Sequence, residues 1–480
     1  MHRNTLLFVL SSLVAWSVHA TPTRRDTGTK NVFAHHMVGF TYSYTSKDWV
    51  EDVRAAHAAG IDGFALNVGT DSWQPTQVAS AYQAAEQSGT GFKMFLSFDM
   101  SVFQCSSSSD AATLRSWVSK YATHANQFLY NGHIFVSTFA GESCTFGQSS
   151  VAQGWASQFT SQLAGSNAVH FVPSFFVDPS TFGQYSSSIN GMFNFNSGWP
   201  ISLTTATANA QLSSQGESLS ATSPSDLEKI TQVLLPNVGS IDTDNQYVSG
   251  LKSVTSNDGK APTYMGAVSP WFFTHYSPQT FNKNAHSHLY NTRWENVVEN
   301  RHLFDLIEIC TWNDFSESHY IGLIHGSQPN SQAWVDGFDH SAWLNMTSYY
   351  ATAYKTGSCP AITQDKICIW ARPHPKKANA PDPVGKPSNF EMTQDLMWAV
   401  VFATLPATVT LWTSDSNSQT SNVQAGVTKL NMPLTETGGY MRAMLRRDGV
   451  VIMDFTPSGY HYEPNPSAYN YNAFTAGSPN

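Results

Sequence analysis

The sequence predicts an α/β fold, a (β/α)8 barrel, followed by a C-terminal all-β region of β-sandwich character. Three observations predict it. From Val32 onward, short apolar runs alternate with helical stretches, the pattern of a parallel sheet built from βα units. The runs number eight, the count that closes such a barrel. Beyond a cluster of prolines (Pro360, Pro373, Pro375, Pro381, Pro383 and Pro387) helical periodicity gives way to short alternating strands separated by turn residues.

The predicted barrel strands are residues 32–40, 63–68, 93–98, 134–138, 170–174, 192–195, 263–267 and 306–311. Helices at 47–59, 75–87 and 111–122 fit between them, and 197–262 holds more than one helix in a decorated connection. A doubly wound open sheet is the alternative, but no glycine-rich phosphate turn follows the first strand. Strands at 398–402, 408–412 and 450–453 carry the alternation of the second region. The expected division is a leader over residues 1–25, a barrel over 26–358 and a β-sandwich over 359–480. Its last stretch, 460–480, reads as an extended strap or a disordered tail.

A chain of 480 residues suits two domains. Net charge is −9 and no basic stripe is present, which argues against a nucleic-acid partner. Arg3, the apolar run 6–18 and Val18-His19-Ala20 form a secretory leader, and Arg24-Arg25 resembles a dibasic processing site. That apolar run is too short to span a bilayer and none of comparable length follows, so no membrane partner is expected. The expected location is extracellular or cell wall, and the expected state is a monomer. Five cysteines in an oxidising compartment allow two bridges: Cys359 with Cys368 at the junction, and Cys105 with Cys144 between two loops. Cys310, inside a predicted strand, reads as a core thiol. Asn345-Met346-Thr347 is a glycosylation sequon.

The chemistry is narrowed by what is missing. His35 and His36 are neighbours on a predicted strand and point to opposite faces, so they do not readily share an ion. His35 reads as a satisfied core residue or a residue of the barrel mouth. With neither HExxH nor a paired-cysteine pattern, no metal and no cofactor are expected. No G-x-S-x-G elbow supports acyl transfer. Carboxylates remain, and residues 311–322, TWNDFSESHYIG, hold two of them three apart beside aromatic rings. Such a pair suits glycosidic hydrolysis, one group as acid and one as base. A solvated loop that caps the next helix is the alternative.

In a barrel the active site lies at the carboxyl ends of the strands. Those ends carry Asn67, Asp99, Glu142, Asn196, Trp199, Trp271, His275, Trp312, Asp314 and Glu317. Alternation is expected to point Glu308, Cys310, Trp312 and Asp314 toward the interior and its mouth. Glu317, with the longer reach, is expected to be the general acid, and Asp314 the base that activates water. On a short loop the two can diverge to the roughly 6.5–9.5 Å that admits a water. Asp99, Glu142, Asn67, Asn196, His275, His319 and Tyr320 are expected to bind sugar hydroxyls. Trp199, Trp271 and Trp312 are stacking platforms or core residues.

With residues 32–45, 59–69, 92–101 and 264–276, and the stretch 362–375, this loop resembles glycoside hydrolase family 71, the fungal α-1,3-glucanases or mutanases. The resemblance implies a secreted fungal enzyme with a (β/α)8 barrel and a C-terminal β-sandwich. It implies hydrolysis of α-1,3-glucan with inversion, and endo action is expected. An inverting glycosidase on another α-glucan is the nearest alternative reading. A non-catalytic wall protein that binds glucan through its aromatics is the other.

Overall fold

The computed structural model describes residues 29–199, 203–216, 224–276, 280–283, 288–326, 328 and 330–478. The leader expected at 1–25 lies outside them. Among the described residues no helix is long and apolar enough to cross a membrane.

All eight expected barrel strands form. They are β1 Asn31–Met37, β2 Gly63–Val68, β3 Lys93–Asp99, β4 His133–Phe139, β5 Val169–Phe171, β6 Gly191–Asn194, β7 Thr263–Val268 and β8 Leu306–Ile309. They pair in parallel in the order β5-β4-β3-β2-β1-β8-β7-β6. The two end strands approach each other: Asn190 donates its backbone N–H to the Phe171 carbonyl at 2.7 Å, and Phe193 to Pro173 at 2.8 Å. β5 is shorter than expected, in keeping with a proline at 173 that has no N–H for the ladder. β1 also stops early, at Met37, where Val38–Phe40 tightens into a 3₁₀ turn.

Side-chain alternation sorts two layers. Phe33, Ala65, Phe95, Phe135, Val172, Phe193, Met265, Leu306 and Cys310 form one cluster on the inner face. Val32, Phe64, Leu66, Met94, Leu96 and Ile307 join a larger cluster that includes residues of the surrounding helices. The helices are α1 Ser46–Ala58, α2 Gln74–Ser88, α3 Ser108–Tyr121, α4 Thr205–Ser214, α5 Pro224–Leu234, α6 Asp242–Leu251, α7 Leu289–Glu299 and α8 Ser341–Thr356. Reciprocal capping boxes start three of them, Thr45 with Asp48, Ser107 with Asp110 and Thr204 with Thr207. Arg293 and Asp244, both fully buried, tie α7 to α6 at 2.6 and 2.8 Å. A hairpin absent from the sequence reading, Phe272–His275 with Thr280–Lys283, rises after β7.

The C-terminal region holds two antiparallel four-stranded sheets. Its strands are β9 Lys366–Ala371, β10 Leu396–Ala403, β11 Ala407–Ser414, β12 Asn417–Val423, β13 Gly426–Pro433, β14 Arg442–Arg447, β15 Val450–Phe455 and β16 Phe474–Ser478. One sheet runs β13-β10-β9-β16 and the other β12-β11-β14-β15. Ile367, Ile369, Met397, Ala399 and Val401 of the first sheet cluster with Val409, Leu411, Ala443 and Leu445 of the second. The alternate residues Cys368, Trp370, Trp398, Val400 and Phe402 join the larger cluster with Trp343 of α8. Trp343 and Trp370 lie 5.9 Å apart between ring centroids. A sheet buried on both faces reads as a continuous apolar run, as β10 does.

The last segment is a strap. Tyr471 accepts from the Trp271 indole at 2.9 Å, Asn470 N–H donates to His374 at 2.9 Å, and β16 pairs with β9. The cysteines agree only in part with the sequence expectation. Cys105 and Cys144 form a disulfide, whereas Cys359 and Cys368 are both free. Mid-strand alternation buries Cys368 against α8 and leaves Cys359 exposed in the preceding connection. Cys310 is a buried free thiol. Asn345 is exposed on α8, while its sequon partner Thr347 is buried and bonded to Tyr290 at 2.7 Å.

Candidate active site

Residues 311–322 follow β8 and fold back on themselves. Thr311 N–H donates to His319 O at 2.7 Å and Gly322 N–H to Trp312 O at 2.8 Å, closing the segment at its base. The Thr311 hydroxyl accepts from Asp314 N–H at 2.8 Å, which fixes the direction of the first carboxylate. Asn313 exchanges two bonds with the Met37 backbone at the end of β1, at 2.7 and 3.1 Å. Phe273 N–H of the hairpin donates to Glu317 O at 2.9 Å. At Gly322 a Cβ would stand 2.4 Å from the Trp312 ring, so no larger residue fits there without displacing the indole.

The segment brings Asp314 and Glu317 together. Asp314 is 7% exposed, and its Oδ1 accepts from the Ser316 hydroxyl at 2.7 Å and from Glu317 N–H at 3.2 Å. Glu317 keeps 41% of its side chain in solvent. One ligating atom from each of Asp314, Glu317 and His319 lies within 4.8 Å of the others. The expected divergence to roughly 6.5–9.5 Å is therefore not present between the nearest carboxylate oxygens of this conformation. Burial pushes the Asp314 carboxyl up from its ordinary value, against the hydrogen bonds of Ser316 and Glu317 and the charge of His35, which pull it down. The group raised by burial is thus the one read from sequence as the base.

Behind the pair stands a polar contact that sequence reading left undecided. His35 on β1 and Glu308 on β8 follow the inward parity of Phe33 and Leu306. Their Nδ1 and Oε1 atoms meet at 2.7 Å, with both side chains buried. Burial raises the Glu308 carboxyl and His35 lowers it. Tyr276, beyond the hairpin strand, was missed: its phenol is raised by burial and by Asp314, and lowered by hydrogen bonds from Ser316 and Ser331. The signal for Glu308 was available, since a glutamate inside an otherwise apolar strand needs a partner.

The other expected residues divide into groups. Asn67 continues the inward parity of Ala65 and is 5% exposed. Trp199, 6% exposed, meets His319 edge-on at 4.6 Å, and His319 Nδ1 lies 3.9 Å from Glu317 Oε2. Asn196 is half-buried in the turn that leads to Trp199. Asp99 caps its own strand end, accepting from Ser101 N–H at 3.0 Å, and Glu142 accepts from Phe176 N–H at 3.3 Å.

Four of the expected residues are held elsewhere in the fold, Trp312 and Trp271 as core residues, one of the two readings for them. Strand pairing ends at Ile309, so alternation no longer governs Trp312, whose fully buried ring turns outward to Phe64 at 5.1 Å. Trp271 is 3% exposed and bound to the strap. Tyr320 is fully buried, stacked on His340 at 3.9 Å with its hydroxyl on Phe338 O at 2.5 Å. None of these three offers a ring face to a sugar. His275 pairs with Asp382 at 2.8 Å beside Trp334, toward the C-terminal region.

Two groups among the described residues bring three potential cation donors together, Asp48 with Glu51 and His325, and Asp314 with Glu317 and His319. Three protein donors fall short of the four of a closed structural site.

The sequence matches the profile of glycosyl hydrolase family 71 over residues 28–480. It is 36% identical over 453 residues to a glucan endo-1,3-alpha-glucosidase, agn1, of Schizosaccharomyces pombe, covering 93% of this chain and 94% of that protein. It is 31% identical to a mutanase of Penicillium rubens, covering 93% and 88% respectively. An ascus wall endo-1,3-alpha-glucanase of Schizosaccharomyces pombe is 29% identical, with 84% and 86% covered. A match across the barrel strands, the carboxylate segment and the C-terminal sheets leaves one conclusion: the chain belongs to glycosyl hydrolase family 71.

Proposed function

We propose that this protein is a secreted, monomeric, endo-acting hydrolase of α-1,3-glucosidic bonds, with Asp314 and Glu317 as its catalytic carboxylates. The observation that carries the reading is their contact at the carboxyl end of β8, one group buried and one half in solvent. The names and coverage of the relatives support α-1,3-glucan as substrate. The sequential strand order and the bonds between β5 and β6 support reading residues 26–358 as a (β/α)8 barrel. The paired sheets support a β-sandwich over 359–480. The leader in the sequence supports secretion to the cell wall or medium.

In this mechanism Glu317, exposed and on a longer stem, gives its proton to the leaving glycosidic oxygen. Asp314, fixed by Ser316 and the Glu317 N–H, takes a proton from the attacking water. Glu308 holds the His35 ring in place, and His35 opposes the burial that raises the Asp314 carboxyl. His319 and, behind it, Trp199 stand beside Glu317. Direct attack by water requires Glu317 to turn outward, away from Asp314, when the sugar enters, and its solvent-facing side chain has room for that turn.

The short separation favours a second reading, in which Asp314 is a nucleophile and configuration is retained, as carboxyl groups roughly 5–5.5 Å apart do. The two differ in the first product. Reducing-sugar release from insoluble α-1,3-glucan tests the activity, and NMR of fresh product tests the course. Inversion of an α-linked glucan yields the β-anomer first. An initial α-anomer overturns the base assigned to Asp314, and no release from α-1,3-glucan beside release from another α-glucan overturns the substrate.

A further inference from the structure

On the barrel side of the molecule, exposed large rings and aliphatic chains concentrate after the carboxyl ends of the strands. Tyr42 after β1 is 52% exposed, Trp73 after β2 is 37% exposed and Val102 after β3 is 50% exposed. Each leaves apolar area in water at a cost of roughly 25 cal/mol per Å². The exposure is not that of loose loops. Gly69 N–H donates to Gln74 Oε1 at 2.6 Å and Gln74 donates to Asp71 at 2.9 Å, which pins the connection that carries Trp73. Cys105, bridged to Cys144, pins the connection that carries Val102.

These residues are contiguous. Tyr42 and Trp73 meet edge-on at 6.2 Å. Beyond Trp73 opens a cleft of about 510 Å³ whose walls include Thr70, Asp71, Val102, Phe103, Gln104 and Trp117. Buried Asn313 ties the catalytic segment to the Met37 backbone at the start of the turn that leads to Tyr42, which fixes the inner end of the track relative to that segment. Among the described residues no Lys, Arg or His lines the cleft, so an anionic ligand finds no counter-charge from them there. Aromatic faces beside hydroxyl, amide and carboxylate groups match a neutral, flat-sided, hydroxyl-rich chain.

We propose that Tyr42, Trp73 and the cleft bounded by Val102 and Trp117 form a distal glucan-binding track, holding sugar residues of the chain whose scissile bond sits at Asp314. This rests on the glucanase reading above and adds where the polymer runs: outward over the loops after β1, β2 and β3. The test compares the full-length protein with the Tyr42→Ala/Trp73→Ala variant, after circular dichroism and thermal melts establish that both fold alike. kcat/KM is measured on a long α-1,3-glucan and on the shortest α-1,3-gluco-oligosaccharide that is cleaved. The preference for the long chain is expected to fall at least tenfold. An unchanged preference, or equal losses on both substrates, overturns the track. Should the parent protein cleave no α-1,3-glucan, the glucanase reading fails instead. Depletion onto insoluble α-1,3-glucan, with β-1,3-glucan and cellulose as controls, then reads the track alone: equal retention of variant and parent overturns it, and retention at least tenfold weaker for the variant upholds it.

Discussion

Two neighbouring histidines on β1 each meet a buried carboxylate, and the two arrangements serve different ends. His35 faces inward to Glu308 at 2.7 Å and lies within electrostatic reach of Asp314. His36 faces outward to Asp52 of α1 at 3.1 Å, stacked on Trp49 at 4.5 Å. Asp52 also accepts from His325 at 2.9 Å, so the outer cluster ties β1, α1 and the chain just past the catalytic segment. One residue of offset on a strand separates a group that sets the charge of the site from one that holds the scaffold.

The largest expected effect lies on the inner side. Asp314→Asn and Glu317→Gln are each expected to lower turnover by about 10²–10⁴-fold with thermal stability near the parent's, since each amide is close in shape but moves no proton. Initial rates on α-1,3-glucan check this, and near-parental rates in either variant remove that residue from the mechanism.

Next is the outer carboxylate. Asp52→Asn is expected to destabilise the fold by about 1–3 kcal/mol, because a fully buried acceptor serving two rings is weakened. Denaturant unfolding measures it, and turnover per folded molecule should hold. The pH sign follows from His325. Burial lowers this imidazole, but Asp52, Asp48 and Glu51 outweigh burial and leave it above its ordinary value. Its stabilising contribution is therefore full below the unfolded-state pKa and is lost as pH rises through the folded-state value. Asp52→Asn should shrink that loss.

Glu308→Gln is expected to act in the opposite way, on rate more than on stability. Without the carboxylate, the His35 ring loses the bond that holds it in place, its lowering of Asp314 weakens, and the Asp314 carboxyl rises further. Activity that needs ionised Asp314 then fails at a higher pH, so the acid limb of kcat/KM moves up. A profile that loses height without moving would assign Glu308 to packing alone.

Ser316→Ala acts on Asp314 directly, removing the hydrogen bond that does most to lower it. The acid limb should again move up, and by at least as much as in Glu308→Gln, because the Ser316 bond lowers Asp314 more than the charge of His35 does. The outer variant Asp52→Asn should leave that limb in place, and a shift of equal size there would erase the distinction between the two histidines.

Local chemistry made much of this molecule legible in the sequence. The eight parallel strands needed little more than apolar runs punctuated by turn residues, because a strand buried on both faces is predominantly apolar. The nearness of Asp314 to Glu317 is likewise a short-range consequence of chain order. What only the tertiary structure decided is which groups meet across the chain. Trp312 and Tyr320 flank the carboxylates in sequence and Trp271 follows the preceding strand, yet their rings are enclosed by Phe64, His340 and the strap respectively. Cys105 found Cys144 across 39 residues, while Cys368, nine residues past Cys359, was drawn into the contact with α8. Glu308 meets His35 across 273 residues. Periodicity determines which face a side chain takes. What stands opposite that face depends on how distant segments pack, and for a buried polar group that partner decides both its charge and its use.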